Sequence, residues 1–142
     1  MSVRALTAVD AARMAAIHAA SFDTSWTALD FAVHCERDLC LGLGEPLASF
    51  CVVRRSDVDA EVLTVATDPA KRGHGHARAV LRAAIDKLRA NGLRDLFLEV
   101  AEDNAPARAL YARLGFSSIG RRPGYYRRAG GRVAAVTYGL PL

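Results

Sequence analysis

The chain has 142 residues, 51% of them hydrophobic and 24% charged, and carries a formal net charge of +4 at pH 7. That balance fits one folded domain with one core and excludes a disordered polymer. No run reaches the roughly 18 consecutive apolar residues of a membrane-spanning helix, and residues 1–4 lack the basic region and apolar core of a secretory leader. Cys35, Cys40 and Cys51 are odd in number and lack metal-ligand spacing, so they read as free thiols in a reducing cytoplasm. The positive charge fits an anionic cofactor or an RNA-rich neighbourhood and selects neither.

In chain order, residues 3–6 read as a short opening strand. Ala11, Met14, Ala15, Ile17 and His18 then recur at helical spacing over residues 10–20. A second helix is expected over 27–39, after the turn "SFDTSW", and "GLGEP" at 42–46 breaks it. "LASFCVVR" and "AEVLTVATD" read as adjacent antiparallel strands joined by the polar turn "RRSDVD". The period then becomes helical: Ala77, Leu81, Ala84, Ile85 and Leu88 share one face, and Asn91-Gly92 ends the helix. "DLFLEVA" is another apolar strand. Asn104 can cap a helix running to Leu114, with Pro106 tolerated in its first turn and Gly115 closing it. "FSSIGRR" and "RVAAVTYGL" supply two terminal strands. Without a linker, repeat or heptad, one α/β domain is the economical account.

The segment "RGHGHA", Arg72-Gly73-His74-Gly75-His76-Ala77, stands between a strand and a helix. The helix start offers unpaired N–H groups and the positive end of its dipole, and two glycines leave that backbone open. A phosphate would find several N–H donors there, assisted by Arg72 or Arg78. The same residues also fit an ordinary glycine-containing helix entrance. His74 and His76 have no evident third metal ligand, and the loop matches neither G-x-x-x-x-G-K-[ST] nor G-x-G-x-x-G. In "LFLEVA", Glu99 reads equally as an outward-facing carboxylate or as one facing a wet cleft, because Leu96 and Leu98 alternate with Phe97 and Glu99. Tyr111 reads as helix packing or as a phenol serving chemistry.

"EVLTVATDPAKRGHGHARAVL" resembles the acetyl-CoA-binding motif of the Gcn5-related N-acetyltransferase family, with Arg72-Gly73-His74-Gly75-His76-Ala77 on its Gln/Arg-x-x-Gly-x-Gly/Ala loop. The resemblance continues through "LEVAEDNAPARALYARLGF" and "GRRPGYY" and covers nearly the whole chain. "SFDTSWTALDF" is similar to a segment of the bacterial ribosomal-protein-alanine branch, with Trp26 and Phe31 in matching positions and Ser25 where proline is often found. What the resemblance implies is an α/β fold with a curved mixed sheet, flanked by helices, whose central parallel strands splay apart. The pantetheine arm of acetyl-CoA would enter the split, its pyrophosphate resting on backbone N–H groups from Gly73 to Ala77. Val65 and Ala66 would present backbone groups to the pantetheine and thioester, and Asn104 would contact the same region.

Acetyl transfer from a thioester to an amine needs a base for the ammonium, directly or through water, and an acid for the departing sulfur. The resemblance implies Glu99 as the base and Tyr111 as the acid, with no metal and no covalent enzyme intermediate. A cysteine route would need a thiolate beside an activating group, and nothing in the sequence puts one there. Tyr125 and Tyr126 among four arginines in "GRRPGYYRR" admit RNA stacking. On the resemblance they instead form a hairpin over the peptide channel, with Trp26, Phe31, Tyr125 and Tyr126 selecting the acceptor. The expected acceptor is a protein N-terminus, a ribosomal protein beginning with alanine, in the cytoplasm, with no specific nucleic acid and no membrane as partner. Lysine side chains and small amines are the alternative acceptors, and an inactive ribosome- or RNA-binding domain is the non-enzyme alternative. Oligomeric state is left open.

Overall fold

A computed structural model describes residues 2–142. The elements run β1 (Val3–Ala5), α1 (Ala11–Ala19), α2 (Ala28–Arg37), β2 (Leu39–Leu43), β3 (Ser49–Arg55), β4 (Asp59–Thr67), α3 (His76–Ala90), β5 (Asp95–Ala101), α4 (Ala105–Arg113), β6 (Ser117–Arg128) and β7 (Gly131–Pro141). The strands form one mixed sheet in the order β1-β2-β3-β4-β5-β7-β6. Its one parallel pair, β4 with β5, is joined through α3, as a parallel connection requires.

Alternation along the strands sends apolar side chains to both faces. On one face Val80, Leu81, Ile85 and Leu88 of α3 pack with Val53, Leu96, Leu98 and Val100 of the sheet. On the other face Met14 and Ile17 of α1 and Phe31 of α2 pack with Phe50, Val52 and Ala66. α2 starts where it does because of a reciprocal cap. Thr27 Oγ1 accepts from the Asp30 N–H at 3.1 Å, and the Thr27 N–H donates to Asp30 Oδ2 at 2.8 Å.

The parallel ladder is short. Asp59 pairs with Asp95, Ala60 with Leu96 and Glu61 with Phe97, and there the pairing stops. β4 continues to Thr67, still paired with β3, and β5 continues to Ala101, still paired with β7. The two strands therefore diverge from a common root, as the family resemblance implies.

Two elements differ from the sequence reading. Residues 39–43 form β2 and do not end a helix and begin a turn; all five are buried, so the strand lacks polar alternation. β6 runs past Arg122 to Arg128, because an irregularity between Arg122 and Tyr126 absorbs Pro123 and Gly124 without ending the ladder to β7. Among the described residues, no helix is long and apolar enough to cross a membrane.

Candidate active site

The end of β4 leads into the glycine loop. Val65 is half-buried and Ala66 buried; both are paired with β3 on one edge, through Cys51 and Phe50, and lie beyond the last rung to β5 on the other. Asp68 steadies the following turn, accepting from the Ala70 N–H at 3.0 Å and from Arg13 Nη2 at 2.7 Å. Gly73 and Gly75 have φ of +82° and +76°, and Gly75 is the N-cap of α3. A Cβ at either would meet nothing within 4 Å. The glycines thus serve the left-handed backbone and leave the surface in front of the α3 N–H groups, His76 and Ala77 among them, bare.

Gly75→Ala is expected to lower stability by about 1 kcal/mol from backbone strain alone and, on the resemblance stated above, to raise the KM for acetyl-CoA several-fold. Thermal denaturation and initial-rate kinetics check the two effects separately.

The loop's larger side chains are engaged. Arg72 Nη2 donates to Ser21 Oγ at 2.9 Å, reaching the end of α1. His74 Nδ1 lies 2.9 Å from the Arg72 carbonyl, which can only accept, so Nδ1 carries the proton. The His74 and His76 rings stack at 5.9 Å, and among the described residues no three His, Cys, Asp or Glu side chains converge as a metal group.

Glu99 lies on β5 opposite Thr137 of β7, on the face away from Leu96 and Leu98. Its side chain is 25% exposed. Thr137 Oγ1 donates to Glu99 Oε2 at 3.3 Å, and Arg122 Nε lies 3.1 Å from the same oxygen. Both partners therefore hold Oε2, and among the described residues no hydrogen bond or ion pair engages Oε1. Burial, and next the charge of Glu99, raise the Tyr126 phenol above its ordinary pKa. Two further ion pairs, Arg121 with Glu102 and Arg128 with Asp103, fasten β6 to the corner between β5 and α4.

Tyr111 comes from α4, whose start is fixed by Asn104: Oδ1 accepts from the Ala107 N–H at 3.2 Å. The Tyr111 ring is buried, edge-on to Phe116 at 5.8 Å and tilted against Tyr138 at 6.1 Å. Burial above all, with smaller contributions from Tyr126 and Cys51, pushes its phenol up to about 12. The hydroxyl thus keeps its proton across the physiological range.

The expected acceptor residues separate into two groups. Tyr125 is half exposed and Tyr126 half-buried; Arg122 covers one ring at 5.1 Å and Arg128 the other at 5.4 Å. Trp26 is half-buried in the segment between α1 and α2. Phe31, by contrast, is 0% exposed, wedged among His18, Trp26 and Phe50. Sequence reasoning assigned no role to Thr137, which meets Glu99 only through the β5–β7 register, or to Arg122 individually.

Residues 9–116 match the sequence model of the Acetyltransferase (GNAT) family. The chain belongs to this family. It is 36% identical over 96 residues to the [ribosomal protein bS18]-alanine N-acetyltransferase of Escherichia coli strain K12, a match spanning 68% of this chain and 65% of that relative's length. The crystal structure of the E. coli ribosomal-protein-S18-alanine N-acetyltransferase superposes with a TM-score of 0.90 at 31% identity, covering 99% of this chain and 92% of that one. A Salmonella typhimurium protein whose structure holds its cofactor acetyl-CoA shares the fold at a TM-score of 0.88 and 19% identity, covering 99% of this chain and 93% of that one. This GNAT chain thus shares its overall backbone course with both solved structures.

Proposed function

We propose that residues 1–142 act as one domain that transfers the acetyl group of acetyl-CoA directly to the N-terminal α-amine of a protein, an alanine-starting ribosomal protein in the cytoplasm. The observation that carries the chemistry is the partly exposed carboxylate of Glu99, held by Thr137 and Arg122 through one oxygen while the other has no protein partner among the described residues. The 36% identity to the bS18-alanine enzyme supports the choice of acceptor.

Acetyl-CoA fits the residues present. The bare, positive-φ backbone at Gly73 and Gly75 can approach a pyrophosphate, and the α3 N–H groups can donate to it. Val65 and Ala66 offer backbone groups along the divergent edge of β4, with Arg72, His74, His76 and Asn104 around the path. The cosubstrate supplies an activated thioester carbonyl. An α-amine has a pKa near 8, so much of it is protonated at neutral pH. Glu99 Oε1 takes that proton, directly or through an ordered water, and passes it to solvent; the freed lone pair attacks the thioester carbon, and the nitrogen gives up its second proton by the same route as the amide forms. Tyr111 donates its proton to the sulfur as the carbon–sulfur bond breaks and regains one from solvent. Burial pushes the Cys51 thiol up to about 12 and raises Cys40 as well, so neither is prepared to form an acyl-thioester on the enzyme.

Trp26, Tyr125 and Tyr126 wall the acceptor. Phe31, fully buried, acts on it only through Trp26. Matched peptides beginning with Ala, Ser, Thr, Met or Glu, and one with a blocked N-terminus and an internal Lys, test the reading by mass spectrometry of the modified nitrogen. Fast modification of the Ala α-amine is expected. Exclusive Lys modification overturns the N-terminal assignment, and cofactor binding without any product redirects the search to small amines or to a binding role.

A further inference from the structure

We propose that His18 is the positioning residue of the acceptor wall, holding residues 21–26 in the one conformation that presents Trp26. The inference rests on the reading of Trp26 as acceptor-facing.

The segment between α1 and α2 has no ladder or helix of its own, so its order must come from individual bonds. His18, on the last turn of α1, supplies most of them. Its backbone carbonyl accepts from the Ser21 and Phe22 N–H groups, each at 3.0 Å. Its ring Nδ1 accepts from the Trp26 N–H at 3.2 Å. The ring is buried, 3% exposed, and lies between two aromatics of the same segment, Phe22 at 4.4 Å and Trp26 at 5.1 Å. Trp26 stacks in turn on His34 of α2 at 4.8 Å, and Asp38 Oδ2 holds that ring through its Nδ1 at 2.6 Å. A column of His18, Trp26 and His34 therefore spans from one helix to the other. The segment's first residue is tied elsewhere: Ser21 Oγ accepts from Arg72 of the cofactor loop and donates to the Ile17 carbonyl.

A backbone N–H can only donate, so Nδ1 of His18 must offer a lone pair and the ring proton must sit on Nε2. Burial reinforces this by lowering the His18 pKa, which favours the neutral ring. The positioning rests on the hydrogen bond, and two substitutions separate it from the stack. Phenylalanine at this position keeps a ring for the stack but removes the acceptor. Asparagine keeps an acceptor near the place of Nδ1 but removes the ring.

The test compares His18→Phe, His18→Asn and Trp26→Ala in acetylation of an Ala-starting peptide, with both KM values and the thermal midpoint measured. His18→Phe is expected to raise the acceptor KM about tenfold, the scale of one buried hydrogen bond lost, with the acetyl-CoA KM within about twofold of wild type. His18→Asn should recover part of that loss, and Trp26→Ala should raise the acceptor KM at least as much. Equal impairment in His18→Phe and His18→Asn overturns the positioning role, as does a parallel rise in both KM values with a lowered midpoint. If Trp26→Ala changes the acceptor KM and His18→Phe does not, the inference fails and the acceptor wall stands. If Trp26→Ala changes nothing, the wall fails and takes the inference with it. Ring 15N NMR of the wild-type protein decides the matter even where a variant does not fold: an unprotonated Nδ1 at neutral pH is expected, and a proton there excludes the hydrogen bond.

Discussion

Glu99→Gln is expected to lower kcat/KM for the acceptor peptide by roughly 1000-fold, within the range set by loss of a general base, and to leave coenzyme A affinity within about twofold. Glutamine matches the shape of glutamate, can still accept from Thr137 and cannot take up a proton. Arg122 loses its charged partner, but that pair is exposed on the arginine side and contributes little to stability. The pH dependence separates a base from a structural carboxylate. The α-amine loses its own proton as pH rises through about 8, so the deficit should narrow towards pH 9.5. Initial rates against peptide concentration at several pH values, with calorimetric titration of coenzyme A, provide the measurement. A variant as fast as wild type would reduce Glu99 to the partner of Arg122.

Tyr111→Phe is expected to lower kcat by roughly 100-fold with little change in either KM, since it removes a proton donor and no binding surface. The ring remains to pack against Phe116. The active form of this donor is the protonated one, and its pKa, pushed up to about 12, extends that form beyond the ordinary tyrosine range near 10. Wild-type activity should therefore show no loss from this group until pH approaches 12. The linkage has a definite sign. The stabilisation is complete below the unfolded pKa near 10 and lost as pH rises from there through the folded value, whereas Tyr111→Phe lacks that portion of the decline. Single-turnover rates and thermal midpoints between pH 8 and 11 test both statements. Unchanged kcat would return Tyr111 to a packing role.

The glycine turn ahead of α3 was legible because it combines two glycines with a change of period from strand to helix, both local properties of the chain. β2 was not. Leu39, Leu41 and Leu43 alternate with Cys40 and Gly42, so neither face is marked polar, and the run continues the apolar pattern of α2. The end of β6 was hidden because Pro123-Gly124 reads as a stop, whereas an irregular ladder carries the strand through. The contact of Thr137 with Glu99 was not legible, because no local pattern states a register between strands nearly 40 positions apart. His18 was counted among the apolar positions of α1, correctly for its burial. Its hydrogen bond to Trp26 depends on the fold of an irregular segment. Phe31 shows the converse: an aromatic that the family pattern puts near the acceptor is wholly inside the core.

The early end of the β4–β5 ladder gives this sheet an edge in its interior. A strand edge is ordinarily a hazard at the periphery, where unpaired backbone groups invite another chain and proteins blunt them with charge, proline or cover. Here the facing sides of β4 beyond Glu61 and β5 beyond Phe97 lack each other as partners, while their outer sides remain paired, β4 with β3 around a bulge at Leu63 and β5 with β7. The gap is bounded by two strands that diverge from one root, and on the function proposed above the slender, amide-bearing pantetheine arm would take the place of the missing partner. Recognition of this kind reads backbone, not side chains, and leaves the sequence of both strands free to vary as long as their apolar faces are kept.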